Sequence, residues 1–67
     1  MNHFRKLDDA MNMELRVRRI LPNSGVWISR HPTEPGWFVN IPQDAWVALT
    51  KAHLDALREL GITAPGP

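Results

Sequence analysis

The chain has 67 residues, a formal net charge of +1 and no cysteine. A chain this short forms one domain, and without cysteine it has neither disulfides nor thiolate-based zinc sites. Hydrophobic residues make up 43% of the chain and charged residues 22%, proportions that exclude a disordered chain. No apolar run approaches the roughly 20 residues that span a bilayer, and the first residues do not resemble a secretory signal. We therefore expect a cytoplasmic protein.

Residues 1–12 form an N-terminal segment whose apolar side chains recur at helical spacing. Phe4, Leu7 and Met11 lie three and four residues apart, a separation that places side chains on one side of a helix. This spacing predicts a short helix within residues 3–11.

Residues 13–21 fit two different structures. As a strand, the segment alternates apolar and charged side chains and pairs with the next strand through a turn at 22–25. As a helix over 8–20, it begins with acids, ends with arginines and contains an i, i+4 pair of Glu14 and Arg18. A sheet of only two strands is rarely stable, which favours the strand and a three-stranded meander.

A β-hairpin is predicted next. Its two strands, 26–31 and 37–41, are rich in β-branched and aromatic residues. The connecting residues 32–36 contain prolines and a glycine in the pattern that favours a tight turn. The composition therefore predicts antiparallel pairing of neighbouring strands.

The register of this hairpin follows from its two faces. If four residues form the loop, Ile28 lies opposite Val39 and Arg30 lies opposite Trp37. A slip of one residue would mix apolar and polar side chains on both faces, whereas this register separates them. The predicted inner face carries Val26, Ile28, Trp37, Val39 and Ile41, and the outer face carries Trp27, Ser29, His31, Phe38 and Asn40.

The last predicted element is one helix over 42–60. It begins with a proline, and Asp44 lies where a negative charge meets the positive end of the helix dipole. Apolar side chains recur along one side, and Gly61 follows as a C-cap. Residues 61–67 are expected to form a flexible tail. The predicted fold is α+β: a small antiparallel two- or three-stranded sheet packed against a C-terminal helix.

The sequence has no catalytic, metal or cofactor motif. The serines lie outside any Gly-x-Ser-x-Gly elbow, and the histidines lack the spacing of metal ligands. Turns and caps account for the glycines, so no phosphate-binding loop is indicated. We expect no enzyme, no metal and no cofactor. His53 lies within the apolar side of the last helix, where we expect its ring to pack with one nitrogen bonded to the backbone.

The outer face of the sheet is the candidate binding site. Residues 15–33 carry four arginines and no acid, and if 15–21 is a strand, part of this basic block joins the aromatic side chains. Tryptophan and arginine are enriched at protein interfaces, and the same combination stacks nucleic-acid bases and meets phosphates. The alternatives are burial under the N-terminal helix or the contact of a homodimer. The candidate partner-binding residues are Trp27, Phe38, Arg16, Arg18, Arg30 and His31.

These observations predict a small, non-catalytic interaction protein that acts by stoichiometric binding to a partner protein. Its size is typical of inhibitors and regulators that phages and mobile elements encode. The alternative function is a nucleic-acid-binding module that uses a basic, aromatic sheet face. No membrane partner is expected, because the polar side of the last helix carries charges of both signs.

Overall fold

The computed structural model describes residues 3–63 and confirms the predicted α+β class. Within these residues the strands are β1 (His3–Phe4), β2 (Trp27–Arg30) and β3 (Trp37–Asn40), and the helices are α1 (Leu7–Ile20), α2 (Gln43–Val47) and α3 (Lys51–Glu59). The three strands form one antiparallel sheet in the order β1-β3-β2, so β3 is central.

The strand predicted over 13–21 is wrong, because this segment forms the second half of α1 and its C-cap. Acids in the first turn and Arg18 and Arg19 in the last turn complement the helix dipole. Ala10 and Val17 lie seven residues apart and are completely buried. Helical spacing therefore buries Ala10 and Val17 on one side of the helix and places Arg16, Arg18 and Arg19 at exposed positions.

The sheet does have three strands, but its third strand is the N-terminal β1 and the predicted meander is wrong. His3 pairs with Phe38, and Phe4 pairs with Trp37. The short helix predicted within 3–11 therefore begins only at Leu7, after the chain has turned away from the sheet. β1 supplies the additional pairing that a hairpin alone lacks.

The predicted hairpin and its register are confirmed. Ile28 lies opposite Val39 and Arg30 lies opposite Trp37, with antiparallel pairing of β2 and β3. The turn is closed by a 3.0 Å hydrogen bond from the His31 N–H to the Gly36 carbonyl. Because side chains alternate along a strand, this register fixes which residues share each face of the sheet.

The single helix predicted over 42–60 is wrong, because the chain forms two helices separated at Ala48–Thr50. Thr50 is extended (φ −81°, ψ 168°) and begins α3 as its N-cap. Its hydroxyl accepts a hydrogen bond from the His53 N–H, and His53 Nδ1 accepts one from the Thr50 N–H. This reciprocal capping box satisfies backbone donors that a helix start would otherwise leave unpaired. The bond from the Thr50 N–H confirms the prediction that a ring nitrogen of His53 bonds to the backbone.

The predicted C-cap at Gly61 is confirmed. Gly61 has a positive φ of 85°, and its N–H donates to the Arg58 carbonyl while the Ile62 N–H donates to the Leu57 carbonyl. This Schellman arrangement turns Ile62 back into the core, where it is buried. The predicted flexible tail over 61–67 therefore begins no earlier than residue 63, and residues 64–67 lie outside the described residues.

The core lies between one face of the sheet and the helices. Hydrophobic side chains from α1, the hairpin and the C-terminal segment pack together there. The side chains of the predicted inner face of the hairpin lie in this core or pack against it. The buried members are Ala10, Val17, Leu21, Val26, Val39, Leu57 and Ile62. Of the two large apolar side chains on the predicted outer face, neither the exposed Trp27 nor the partly buried Phe38 is part of this cluster. α1 therefore packs across one face of the sheet, and no element of the described residues covers the other.

Candidate functional site: the open face of the sheet

The uncovered side of the sheet is the candidate site, and we call it the open face. Trp27 is its most exposed member, with 47% of its surface accessible, while the others are partly buried. The predicted burial of this face under the N-terminal helix does not occur, since α1 packs on the opposite side. The open face consists of His3, Trp27, Ser29, His31, Phe38 and Asn40.

Three aromatic rings pack together at one end of the open face. His3, His31 and Phe38 lie with ring centroids between 5.1 and 5.3 Å apart in every pairing. The His3 and His31 rings meet edge to face, at 71°. Aromatic rings prefer such offset or edge contacts. The cluster therefore links β1, β3 and the end of β2 on one surface.

The turn of the hairpin holds His31 in this cluster. Its Nδ1 accepts hydrogen bonds from the backbone N–H groups of Thr33 at 3.1 Å and Glu34 at 2.9 Å. On the other side of the ring, His31 Nε2 lies 3.9 Å from a carboxylate oxygen of Glu34. The imidazole therefore accepts hydrogen bonds from two turn amides while its ring packs against the rings of His3 and Phe38.

Gly36 makes room for His3. It has a φ of 137°, and a Cβ at this position would lie 2.5 Å from His3 Nε2 and 2.8 Å from the Phe4 carbonyl oxygen. Only glycine adopts this backbone region without strain and permits so close an approach. The His3 ring nitrogen is buried against this glycine without a hydrogen-bond partner. Gly36 thus lets β1 and its histidine reach the ring cluster.

Asn40 fixes the other end of the open face. Its side-chain Nδ2 donates to Ser29 Oγ at 2.9 Å and lies 3.3 Å from the Trp27 carbonyl oxygen. These bonds cross from β3 to β2 beside the exposed indole. Because a polar side chain holds the strand that carries Trp27, the indole is presented from a fixed backbone.

The arginines predicted for the site lie elsewhere. Arg16 and Arg18 lie on α1, on the helical side of the sheet, because 15–21 is not a strand. Arg30 shares the inner face with its pairing partner Trp37, and its guanidinium carbon lies 5.9 Å from the centre of that ring. The structure therefore brings together Trp27, Phe38 and His31 and separates Arg16, Arg18 and Arg30 from them.

Sequence reasoning missed two features of the surface. His3 belongs to the open face because β1 pairs with β3, and a two-residue strand leaves no pattern in the sequence. The second feature is an exposed apolar stripe on α1, formed by Leu7, Met11 and Leu15 at intervals of four residues. That spacing is visible in the sequence, but only the structure shows that the stripe faces solvent.

Within residues 3–63, no group of three or more histidines, cysteines or acids is arranged to hold a metal ion. No helix in this part of the chain combines the length and apolar character needed to cross a bilayer. Comparisons with protein-family models, with curated proteins and with solved structures gave no match to the chain.

Proposed function

We propose that this protein is a non-catalytic interaction protein of the cytoplasm that binds a partner protein stoichiometrically through the open face of its sheet. Such binding would act as inhibition or regulation of the partner. The observation that supports the proposal most strongly is Trp27, a half-exposed indole on a sheet face that no element of the described chain covers. Tryptophan is among the residues that dominate binding energy at protein interfaces.

The composition of the open face favours a protein over a nucleic acid. Its six members include no lysine, arginine, aspartate or glutamate. Proteins that stack unpaired bases combine aromatic side chains with cations that meet the phosphates, and phosphate contacts supply most of the affinity. Arg16 and Arg18 lie on the helical layer, and Arg30 shares the inner face with Trp37. An aromatic centre without lysine, arginine, aspartate or glutamate, bordered by polar groups, is instead typical of a protein interface.

The rigidity of the open face supports stoichiometric recognition. The rings of His3, His31 and Phe38 pack against one another, and Asn40 links the two strands beside Trp27. Binding to a surface that is already ordered loses little conformational entropy. The face is therefore suited to meet a complementary apolar patch without rearrangement.

Quantitative affinity capture tests the proposal, with Trp27→Ser compared against Met11→Gln. The two wild-type side chains are matched, since Trp27 is 47% exposed and Met11 is 48% exposed on the α1 stripe. Tagged wild-type protein and both variants are incubated with native lysate, and bound proteins are quantified by mass spectrometry. We expect a specific protein that wild type and Met11→Gln retain and Trp27→Ser loses.

Two results would contradict the proposal. Loss of the captured protein from Met11→Gln but not from Trp27→Ser would show that the partner binds the α1 stripe and not the open face. Capture of nucleic acid, with binding that falls steeply as salt rises, would favour the nucleic-acid function instead. Circular dichroism of both variants verifies that they retain the fold.

A further inference from the structure

The outer edge of β2 is unpaired in the described part of the chain. β3 occupies the centre of the sheet, so β2 pairs with β3 along one edge and with no strand of the described residues along the other. Natural proteins protect such edges with prolines, lysines or coverings, because free backbone groups pair readily with other strands. Residues 27–30 contain no proline and no lysine, and Trp27 and Arg30 are exposed.

The register identifies which backbone groups point to this edge. The His31 N–H bonds to the Gly36 carbonyl, so residues 31 and 36 form a hydrogen-bonded pair. Such pairs alternate with non-bonded pairs along an antiparallel ladder. The backbone groups of Trp27 and Ser29 therefore point towards β3, and those of Ile28 and Arg30 point outwards.

Both ends of the outer edge are closed. The Val26 carbonyl also points outwards, but it accepts a 2.7 Å hydrogen bond from the Arg18 guanidinium. Beyond His31 the chain continues with Pro32, which has no N–H to donate. Among the described residues, the outward backbone groups of β2 without a hydrogen-bond partner are therefore the N–H and carbonyl groups of Ile28 and Arg30.

We propose that a second copy of this chain occupies the edge, with β2 pairing antiparallel to β2 about a twofold axis at Ser29. In this register Ile28 of each copy lies opposite Arg30 of the other, and the two residues exchange both of their backbone hydrogen bonds. Side chains directly opposite each other must lie on the same face of the sheet, so any other register differs from this one by a shift of two residues. A shift of two residues in one direction places Arg30 of one copy opposite Val26 of the other, whose carbonyl already accepts a bond from Arg18. The opposite shift places Ile28 opposite Pro32, which has no N–H to donate.

The side chains at this edge are compatible with self-pairing. On the open face, Trp27 of one copy lies directly opposite His31 of the other, at the close spacing of a non-hydrogen-bonded pair. The exposed indole would then extend the ring cluster of the second copy. On the inner face, the Arg30 guanidinium lies over its own Trp37 ring, 5.9 Å from the ring centre, and so away from the edge. The dimer would have one continuous sheet with one continuous open face.

A single cysteine tests the register directly. In the proposed dimer the two Ser29 residues face each other across the axis with Cα atoms about 4.5 Å apart, within the range that a disulfide spans. Because the chain has no cysteine, Ser29→Cys introduces the only thiol. The control is Glu59→Cys, an exposed position on α3. We expect mild oxidation to link Ser29→Cys into a covalent dimer much faster and more completely than Glu59→Cys. Equal, slow cross-linking of two folded variants would overturn the proposal.

Analytical ultracentrifugation of Arg30→Pro and Arg30→Ala provides a second test. Proline removes the outward N–H at this position without removing a bond to β3, and alanine removes the same side chain but keeps the N–H. We expect wild type and Arg30→Ala to sediment as dimers and Arg30→Pro as a folded monomer. A wild-type protein that stays monomeric from micromolar to millimolar concentration would contradict the dimer. This inference goes beyond the proposed function, and Arg30→Pro separates the two because it leaves Trp27 and the ring cluster in place.

Discussion

The guanidinium of Arg18 donates a 2.7 Å hydrogen bond to the carbonyl oxygen of Val26, which ties the last turn of α1 to the start of the hairpin. The same guanidinium lies 3.6 Å from Glu14, one turn earlier on the helix. An arginine that the sequence offers as a partner-binding residue therefore has a structural role. This contact also positions β2, the strand that carries Trp27.

Replacing Arg18 by methionine should therefore destabilise the fold. The variant keeps an unbranched, although shorter, side chain and loses the donor to Val26. We expect a loss of about 1 kcal/mol in the free energy of unfolding, near the typical net value of one hydrogen bond, since the side chain is half exposed. Urea denaturation measures this value. Arg16→Met is the matched control, and a change there as large as at Arg18 would contradict the structural role.

The core and the open face of the sheet should differ sharply in their contribution to stability. Leu57 is completely buried in the core, whereas Trp27 lies on the open face. We expect Leu57→Ala to cost about 2–5 kcal/mol of unfolding free energy and Trp27→Ser to cost less than about 1 kcal/mol. Thermal and urea denaturation of the two variants provide the comparison. A severe loss of stability in Trp27→Ser would identify the indole as a core residue and remove the proposed surface.

The contact between Gly36 and His3 should tolerate no larger residue. Gly36→Ala introduces a Cβ that meets a ring nitrogen and a backbone carbonyl at less than 3 Å, in addition to an unfavourable φ. Gly25→Ala is the control, because its φ of 79° is also positive but the nearest atom, Pro42 Cγ, lies at an ordinary 3.4 Å. We expect roughly 1–2 kcal/mol of strain from the backbone alone at Gly25. The loss at Gly36 should exceed it, with β1 released from β3 in amide exchange.

Thr50 should account for the separation of α2 from α3. Thr50→Ala removes the hydroxyl that caps the His53 N–H. The expected loss is about 1 kcal/mol, and Thr50→Ser should retain most of the stability because serine caps equally well. Equal stability of the alanine and serine variants in urea denaturation would show that the cap contributes nothing.

The hairpin was predictable from the sequence because its register follows from a strict separation of apolar and polar side chains. The same argument located Trp27, Phe38 and His31 on one face. Each of these inferences depends on neighbouring strands joined by a short turn, where local pattern and final structure coincide.

The third strand was not predictable, because β1 pairs with β3, which lies far from it along the chain. His3 and Phe4 are followed at once by a turn and by α1, so no alternation develops. Residues 13–21 were the stronger candidate for a third strand, because the positions of their arginines fit the period of a strand as well as that of a helix. The segment is helical, and Arg18 and Arg19 in its last turn complement the helix dipole, so neither Arg16 nor Arg18 lies on the open face.

The break between α2 and α3 was hidden for a different reason. Apolar side chains recur at helical spacing across the break, and a threonine within a helical pattern is unremarkable in sequence. Its cap uses a histidine three residues later, in place of the glutamate or glutamine of the usual capping box. The signal was therefore present, but in a chemical form that the common motif does not include.

Photo-cross-linking from position 27 tests the central claim most directly, namely that the open face meets a partner protein. A benzophenone amino acid is placed at Trp27 in one preparation and at Met11, on the α1 stripe, in another. After irradiation in native lysate, we expect position 27 to give a discrete adduct whose mass exceeds that of a dimer of this chain. A discrete adduct from position 11 with none from position 27 would contradict the account.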